Sequence, residues 1–291
     1  MNLVILSRSR RLHSTRRLYL CGLARRHSVR IVDPLRCSLV LGPDSMQLLV
    51  QGEPIGPVDA VIPRLAARTG MAGLAVLRQF ELAGAYCLNS SEAYARGRDK
   101  LRTLQLLCAA GVPVLPTAFA RHPDDVQRVL AQIGGAPCVV KFTEGTQGLG
   151  VMLAESSLGA ASIIEALHAV KRDLILQKFV SVDGDARLIV IGNEVAAAMV
   201  RRPRPGDFRA NLHRGGDAVV LHPDRQLQSV AVRAARAVGL ECAGVDVVIT
   251  DQGPAVLEVN ASPGLQGIES ASGRNVALQI VRHIETSFVT V

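Results

Sequence analysis

Residues 244–260 of this chain read Gly244-Val-Asp-Val-Val-Ile-Thr-Asp-Gln-Gly-Pro-Ala-Val-Leu-Glu-Val-Asn260 and contain the most informative pattern of the sequence. Two largely apolar runs, at 244–249 and 254–260, flank the polar segment at 250–253, which is typical of a hairpin turn. Each run also carries acidic or amide side chains among its valines. The stretch therefore predicts an antiparallel β-hairpin whose polar side chains need a physical explanation.

The register of this hairpin is expected to bring its polar side chains together. With a loop at 251–253, Thr250 faces Pro254 and Asp246 faces Glu258 across the ladder. Because side chains alternate along a strand, Asn260 points to the same face as Glu258. The hairpin therefore predicts two carboxylates and an amide oxygen on one face.

Such a group of oxygens in an apolar hairpin suits a cation. Unpaired charge is costly in such a place, and Mg²⁺ prefers oxygen ligands. The alternative is that these side chains lie on the solvated face of a half-buried hairpin. The continuation Asn260-Ala-Ser-Pro-Gly264 favours a site, because side chains at a strand end that meets a turn can reach a ligand.

Composition limits the class of protein. A length of 291 residues indicates two domains or one large one. No apolar stretch reaches the ~18–20 residues of a membrane span, and no targeting signal is visible, so we expect no membrane association and a cytoplasmic location. The six cysteines form no C-x-x-C pair, which favours buried reduced thiols. A net charge of +8 favours acidic partners, whereas 3% aromatic content without Trp predicts no direct binding of nucleic acid.

Strand and helix patterns alternate over the first ninety residues, which predicts a parallel sheet in an α/β fold. A second unit begins near Arg98, where Asp99 is expected to cap a helix that buries Leu101, Leu104, Leu107 and Cys108. Strands are predicted at 3–6, 28–32, 59–62, 137–142 and 173–180, with a hairpin at 187–199 turning at Gly192-Asn193. Further helices are predicted at 14–26, 73–84, 123–133, 157–170, 224–239 and 274–286.

Two features indicate phosphate binding. Glu144-Gly-Thr-Gln-Gly-Leu-Gly-Val151 follows a strand that carries Lys141 outward, and its glycines allow backbone amides to face an anion. The segment is neither a Walker loop nor a dinucleotide fingerprint, and an ordinary hairpin turn is the alternative. Lys100 opens a helix, where it could bind phosphate together with the helix dipole or be a plain surface lysine.

Two other segments suit the rest of a nucleotide. Gln177-Lys178-Phe179-Val180 leaves a buried strand, so its backbone could read an adenine edge, and Asp183 or Asp185 could accept ribose hydroxyls. Many strands end in this way, so the signal is weak by itself. The arginine-rich segment 209–216 ends in two glycines and suits carboxylate or phosphate oxygens; a solvated basic loop is the alternative.

Six motifs stand in order along the chain: Arg98-Asp-Lys100, Val139-Val-Lys141, Glu144-Gly-Thr-Gln-Gly-Leu-Gly150, Asn211-Leu-His-Arg-Gly-Gly216, Gly244-Val-Asp246 and Glu258-Val-Asn-Ala-Ser-Pro-Gly264. Together they resemble the ATP-grasp ligases and, more narrowly, the RimK family, whose members add glutamate to the C-terminus of a small-subunit ribosomal protein. Shorter matches, such as Val61-Ile-Pro-Arg64, extend the resemblance over nearly the whole chain.

The resemblance implies a fold and a set of ligands. A Rossmann-like pre-ATP-grasp domain would occupy residues 1–97, and an ATP-grasp domain residues 98–291, with subdomains at about 98–176 and 177–291. Two Mg²⁺ or Mn²⁺ ions would bind Asp246, Glu258 and Asn260, and the 144–150 loop would cover the phosphates. ATP would contact Lys100, Lys141, Gln177, Lys178, Phe179, Asp185, Arg209, Ala210 and Asn211.

The chain departs from the family pattern in two places. Lys178 stands where the family usually has Glu, which a backbone contact to adenine would tolerate. The loop at 181–184 is about two residues shorter than usual, so Asp183 could replace Asp185 at the ribose.

The resemblance also implies a reaction. ATP would phosphorylate an acceptor carboxylate, and the amine of L-glutamate would displace phosphate from the acylphosphate to leave an amide. Arg202 and Arg214 are candidates to stabilise the acylphosphate and the tetrahedral oxyanion. The expected partners are L-glutamate and the acidic C-terminal tail of a small-subunit ribosomal protein, in a homotetramer. The alternatives are another acceptor or amino acid, such as free poly-glutamate synthesis, and a non-catalytic nucleotide-binding regulator.

Overall fold

The computed structural model describes residues 1–43, 45–66, 69–143, 145, 150–168, 173–204, 206, 208 and 216–288, with the side chain of His168 excepted. Helices and strands alternate through most of this part of the chain, so the α/β fold class is confirmed. These residues form four sheets, and two of them lie on either side of the candidate site.

The N-terminal sheet is parallel, with strand order β2-β1-β6-β7, as the alternating patterns predicted. A small antiparallel sheet, β3-β4-β5, was not predicted, because neighbouring apolar residues such as Val40 and Leu41 hide the strand alternation. The elements of this unit are β1 (Asn2–Leu6), α1 (His13–Ala24), β2 (Ser28–Val32), β3 (Cys37–Gly42), β4 (Ser45–Val50), β5 (Glu53–Pro54), β6 (Ala60–Pro63), α2 (Gly70–Leu82), β7 (Tyr86–Cys87) and α3 (Ser91–Arg98).

The middle sheet is antiparallel, with order β10-β9-β11-β8, and has a hydrophobic core of its own that includes Val126, Val140 and Leu176. The predicted helix at 123–133 is present as a short 3-10 turn at Pro123–Asp125 followed by an α-helix. The elements of this unit are α4 (Lys100–Ala109), β8 (Thr117–Phe119), α5 (Val126–Gln132), β9 (Cys138–Phe142), β10 (Val151–Ala154), α6 (Ser157–His168) and β11 (Leu174–Lys178).

The C-terminal sheet has five strands in the order β14-β13-β12-β15-β16. Its buried side chains, such as Leu188 and Val245, belong to the same core as Val4 and Phe80 of the N-terminal unit. The elements are β12 (Asp185–Ile191), β13 (Glu194–Arg202), β14 (Asp217–Val220), α7 (Arg225–Val238), β15 (Cys242–Thr250), β16 (Gly253–Asn260), α8 (Gln266–Ser272) and α9 (Val276–Phe288). The first and last units are therefore packed as one body, to which the middle sheet is attached.

Two helices show why local sequence defines their ends. Asp224 accepts a hydrogen bond from the Leu227 N–H at 2.8 Å at the start of α7, and Gly239 ends that helix at φ 81°. The predicted cap on α4 is also confirmed, since Asp99 accepts from the Arg102 N–H at 3.0 Å. The predicted burial of Cys108 is wrong, because that side chain lies on the exposed side of α4.

The cysteines are free thiols, and four of them are buried: Cys21, Cys87, Cys138 and Cys242. This agrees with the expectation of reduced core thiols. Within the part of the chain that the structure describes, no helix is both long enough and apolar enough to cross a membrane.

Candidate functional site

The hairpin formed by β15 and β16 places Asp246 directly opposite Glu258, as predicted. The register near the turn was predicted wrongly, because Thr250 pairs with Gly253 and not with Pro254. A β-bulge after Asp246 shifts the register by one residue and so restores the Asp246–Glu258 pair. The acidic pair therefore depends on the bulge as well as on the turn.

Asp246 lies at the centre of a buried ion-pair network. Only 4% of its surface is exposed. Its carboxylate accepts two hydrogen bonds from the guanidinium of Arg187, which is its cross-strand neighbour on β12. Arg201 Nη2 lies 3.0 Å from Asp246 Oδ2. Burial opposes ionisation of Asp246, but attraction by Arg187 and Arg201 outweighs it, so the pKa of Asp246 is lowered. The carboxylate is therefore held as an anion.

Arg201 connects this network to Asp185. Its guanidinium donates to both oxygens of Asp185, at 2.7 and 2.8 Å. Burial opposes the charge of Arg201, but Asp246 and Asp185 outweigh burial and raise its pKa. Sequence reasoning missed Arg187 and Arg201 and selected Arg202, which is exposed. The alternation of side chains along β13, which puts Arg201 inward and Arg202 outward, was the available signal.

Glu258 and Asn260 complete the oxygen-bearing face. Glu258 Oε1 lies 3.4 Å from Lys100 Nζ, and Asn260 uses its amide nitrogen to donate to the Gly244 carbonyl at 3.4 Å. The amide oxygen of Asn260 is not used in that bond. The donor set of Asp246, Glu258 and Asn260 is thus chemically suited to a hard cation.

The basic side chains around these oxygens show how the carboxylates are neutralised. Arg187 and Arg201 pair with Asp246, and Lys100 lies beside Glu258. Among the residues described, no three His, Cys, Asp or Glu side chains are grouped so as to hold a metal. A bound cation would therefore rely on the Asn260 amide and would compete with these side chains for the carboxylates.

Lys100 and Lys141 line one small cavity together with Glu258, between the middle sheet and the C-terminal sheet. Lys141 Nζ donates to Gln177 Oε1 at 2.6 Å, and Gln177 Nε2 donates to Thr117 Oγ1 at 3.1 Å. Burial and the neighbouring Lys100 lower the pKa of Lys141, although Glu258 partly offsets them. A phosphate in this cavity would stabilise both ammonium groups.

The segment proposed to face adenine is already partly engaged with protein groups. The Gln177 side chain is buried against Lys141 and Thr117, whereas the Lys178 side chain is exposed. The Lys178 N–H donates to the Pro116 carbonyl at 2.9 Å and the Phe179 N–H to the Pro137 carbonyl at 3.3 Å. Any adenine contact made by Lys178 and Phe179 must therefore use groups other than these two amides.

The two acidic candidates for the ribose differ in their surroundings. Asp185 is partly buried and both of its oxygens accept from Arg201. Asp183 is exposed, and no hydrogen bond or ion pair joins it to another described residue. Of the pair, Asp183 is the one whose carboxylate can turn to a ligand without breaking an ion pair.

Part of the predicted site lies outside the described residues: Glu144 and 146–149 of the glycine-rich loop, and Arg209, Ala210, Asn211 and Arg214. Gly145 is described, and its carbonyl accepts from Lys100 Nζ at 2.8 Å. Gly145 of the predicted loop therefore lies beside the lysine expected to bind phosphate.

The chain is similar to known families and proteins along nearly its whole length. A model described as the RimK PreATP-grasp domain matches residues 1–94, and one described as the RimK-like ATP-grasp domain matches residues 97–284. A probable alpha-L-glutamate ligase of Chromohalobacter salexigens is 46% identical over 292 residues, which cover 100% of this chain and 97% of that protein. One from Pseudomonas fluorescens (strain Pf-5) is also 46% identical, over 98% of this chain and 95% of that protein.

Solved structures show the same fold. The ATP-grasp ligase PsnB complexed with a minimal precursor superposes with a TM-score of 0.77 at 25% identity and covers 98% of both chains. A RimK domain protein from Sphaerobacter thermophilus gives a TM-score of 0.74 at 23% identity, over 97% of this chain and 99% of that one. The expected fold is therefore confirmed.

Proposed function

We propose a substrate and a mechanism for this chain on the premise that it belongs to the RimK-like ATP-grasp family, and is accordingly an ATP-dependent carboxylate–amine ligase. The proposed reaction joins the amine of L-glutamate to the C-terminal carboxylate of a small-subunit ribosomal protein. Support for glutamate comes from the curated relatives named probable alpha-L-glutamate ligases. The net charge of +8 suits an acidic acceptor tail.

The observation that carries the mechanism is the cavity shared by Lys100, Lys141 and Glu258. In the proposal the two lysines, both in the lobe of residues 98–176, bind the phosphates of ATP opposite Glu258 of the lobe of residues 177–291. Fixed positive charge at that place stabilises the negative charge that spreads over the transferred phosphoryl group. Gln177 orients Lys141 through the bond at 2.6 Å.

The chemical steps need no covalent bond to the protein. An acceptor carboxylate oxygen attacks the γ-phosphorus of ATP, which releases ADP and forms an acylphosphate. The amine of glutamate then attacks the acyl carbon, phosphate leaves with the bonding electron pair, the nitrogen loses a proton and an amide remains. We assign Arg202 and Arg214 to the acylphosphate and the tetrahedral oxyanion.

Further contacts complete the proposed site. Gln177, Lys178 and Phe179 would border the adenine, Asp183 or Asp185 the ribose, and Arg209, Ala210 and Asn211 the rest of the nucleotide. Mg²⁺ or Mn²⁺, as two ions held by Asp246, Glu258 and Asn260, would supply charge that offsets the phosphates and orients the transferred group. The family resemblance adds a homotetramer and a cytoplasmic location to the proposal.

The test is ADP release by the full chain with ATP and Mg²⁺, measured against each of the common amino acids with and without a peptide of the ribosomal protein's acidic tail. We expect release that requires both glutamate and the peptide. Glutamate-dependent release without the peptide would instead indicate poly-glutamate synthesis. Release stimulated by a different amino acid would refute the proposed donor, and nucleotide binding without any release would indicate a regulator.

A further inference from the structure

The parallel N-terminal sheet has a reversal of strand order that the proposed site does not use. In its strand order, β2-β1-β6-β7, the strand β2 lies on one side of β1 and β6 on the other, so the order reverses between β1 and β6. In open parallel sheets, ligands bind at the carboxyl ends of the two strands where the order reverses. Here those ends are Leu6 and Pro63, which are paired, and each is followed by arginine: Arg8 two residues after β1, and Arg64 directly after β6.

Arg64 is a cation without a carboxylate partner in the described part of the chain. Its Nη2 donates to the Pro263 carbonyl at 2.9 Å. The ionisable groups that act on it, Tyr94 and Cys242, are both neutral at pH 7, and burial lowers its pKa. A largely desolvated guanidinium that has only a carbonyl acceptor is costly. An anion supplied by a ligand would offset that cost.

Arg8 also has a donor that lacks an acceptor. Its Nε is buried and has no hydrogen-bond partner among the described groups, which is costly for a donor. The helix that follows, α1, has Leu12 at its N-cap without a side-chain cap and has no acidic residue in its first turn. Several donors at these strand ends therefore lack an acceptor from the described part of the protein.

These strand ends are attached to the candidate site. Pro263, which accepts from Arg64, follows Asn260 by three residues in the segment that leaves β16. Two residues further on, the Leu265 N–H donates to Ser14 Oγ at the start of α1, at 3.0 Å. A ligand held by Arg64 would thus lie against the segment that continues from the oxygen-bearing face.

We propose that Arg8 and Arg64 bind a carboxylate of the acceptor chain and so position its C-terminus for phosphorylation. This proposal rests on the proposed ligase function and deepens it. Arg10 and Arg11, which follow Arg8, are exposed, so positive charge continues from these strand ends to the surface. That arrangement suits a flexible acidic chain that enters from solvent better than a free amino acid enclosed in the site.

The test measures binding without turnover. The probe is a fluorescent, glutamate-rich peptide with a free C-terminal carboxylate, titrated by anisotropy with no ATP present. Arg64→Gln and Arg8→Gln should each raise the Kd by roughly ten- to a hundredfold, as expected for loss of a charge-assisted hydrogen bond. Arg64→Lys, which keeps the charge but loses the planar fork, should give an intermediate Kd. Arg225→Gln is the matched control: it removes one exposed arginine at the start of α7, near the turn end of the hairpin.

Separate readouts distinguish a wrong acceptor site from a wrong function. ATP affinity and thermal midpoint check folding, and if Arg64→Gln does not fold, Arg8→Gln and Arg64→Lys decide the question. The proposal is overturned if the arginine variants bind the peptide as Arg225→Gln does, or if they raise only the KM for glutamate in the ADP-release assay. Arginine-dependent peptide binding together with glutamate-independent ADP release would support this site while refuting the proposed donor.

Discussion

Arg187 and Asp246 face each other across strands β12 and β15, and the Arg187 guanidinium donates to both oxygens of the Asp246 carboxylate. The pair is largely buried, with side-chain exposures of 16% and 5%. It holds the acidic hairpin in the C-terminal sheet and keeps the carboxylate charged.

Replacing Arg187 should destabilise the protein. Among the described residues, Arg187→Met leaves the buried carboxylate with Arg201 as its single partner, and breaking a buried ion pair costs about 3 kcal/mol or more. Urea denaturation at pH 7 measures the free energy of unfolding, with the m-value showing whether the change lies in stability alone. Arg225→Met is the exposed control and should change it by less than about 0.5 kcal/mol. Equal stabilities of the two variants would show that the Arg187 pair contributes nothing net.

The pH dependence of stability should report the charge of Asp246. Its pKa is lowered in the folded state because Arg187 and Arg201 outweigh the effect of burial. A carboxylate of this kind stabilises the fold above its unfolded pKa of about 3.9, and the contribution is lost as pH falls through the lower folded pKa. Urea midpoints measured from pH 6 downward should therefore fall more steeply for the wild type than for Asp246→Asn. Parallel curves would mean that Asp246 does not titrate differently on folding.

Glu258→Gln should nearly abolish ligation while leaving the fold intact. Glu258 is one-third exposed, and its described ion-pair partner, Lys100, is 3.4 Å away, so its contribution to stability is small. The change removes a negatively charged oxygen ligand and should weaken metal binding. Calorimetric titration with Mg²⁺ and ATP, alongside ligation and thermal unfolding, checks this. The control Glu92→Gln removes an exposed carboxylate paired with Arg102; near-normal ligation by Glu258→Gln would refute the metal assignment.

Asp183→Asn and Asp185→Asn should separate nucleotide binding from stability. Asp185 is bound in the fork of Arg201, so its replacement should lower the free energy of unfolding by roughly 2–3 kcal/mol. Asp183 is exposed, so its replacement should leave stability unchanged and raise the Kd for ATP severalfold if it contacts the ribose. Fluorescent-ATP titration and urea denaturation of both variants give the two quantities. An unchanged ATP affinity for Asp183→Asn would contradict a ribose contact by Asp183 and favour Asp185.

Much of the fold could be predicted from local patterns. Asp224 and Asp99 begin helices because an acidic side chain satisfies the first free N–H groups, and Gly239 ends one because it adopts positive φ without strain. The hairpin turning at Gly192-Asn193 is present as predicted, between β12 and β13. The buried face of a helix was harder to predict, as Cys108 shows, because an apolar stretch does not reveal which side of the helix packs against another element.

The acidic residues of the candidate site and its two lysines were predictable from the sequence, but the arginines that pair with Asp246 were not. Asp246 and Glu258 could be paired because turn chemistry and side-chain alternation are local properties. The one-residue error in the turn register and the β-bulge that compensates for it were not predicted. The basic partners could not be found in this way, because Arg187 and Arg201 lie on strands 59 and 45 residues away from Asp246 in the chain.

Local features of the chain were sufficient to predict the α/β class, most of the helices and strands, the acidic hairpin and the family of ligases, because propensity, periodicity and ordered motifs are properties of neighbouring residues. Which polar groups meet depends on packing: Arg201 with Asp246 and Asp185, Lys100 with Glu258, and Arg64 with the Pro263 carbonyl. The physical reason is that these contacts join separate strands and loops, so the packing of the sheets selects them and no local pattern records them.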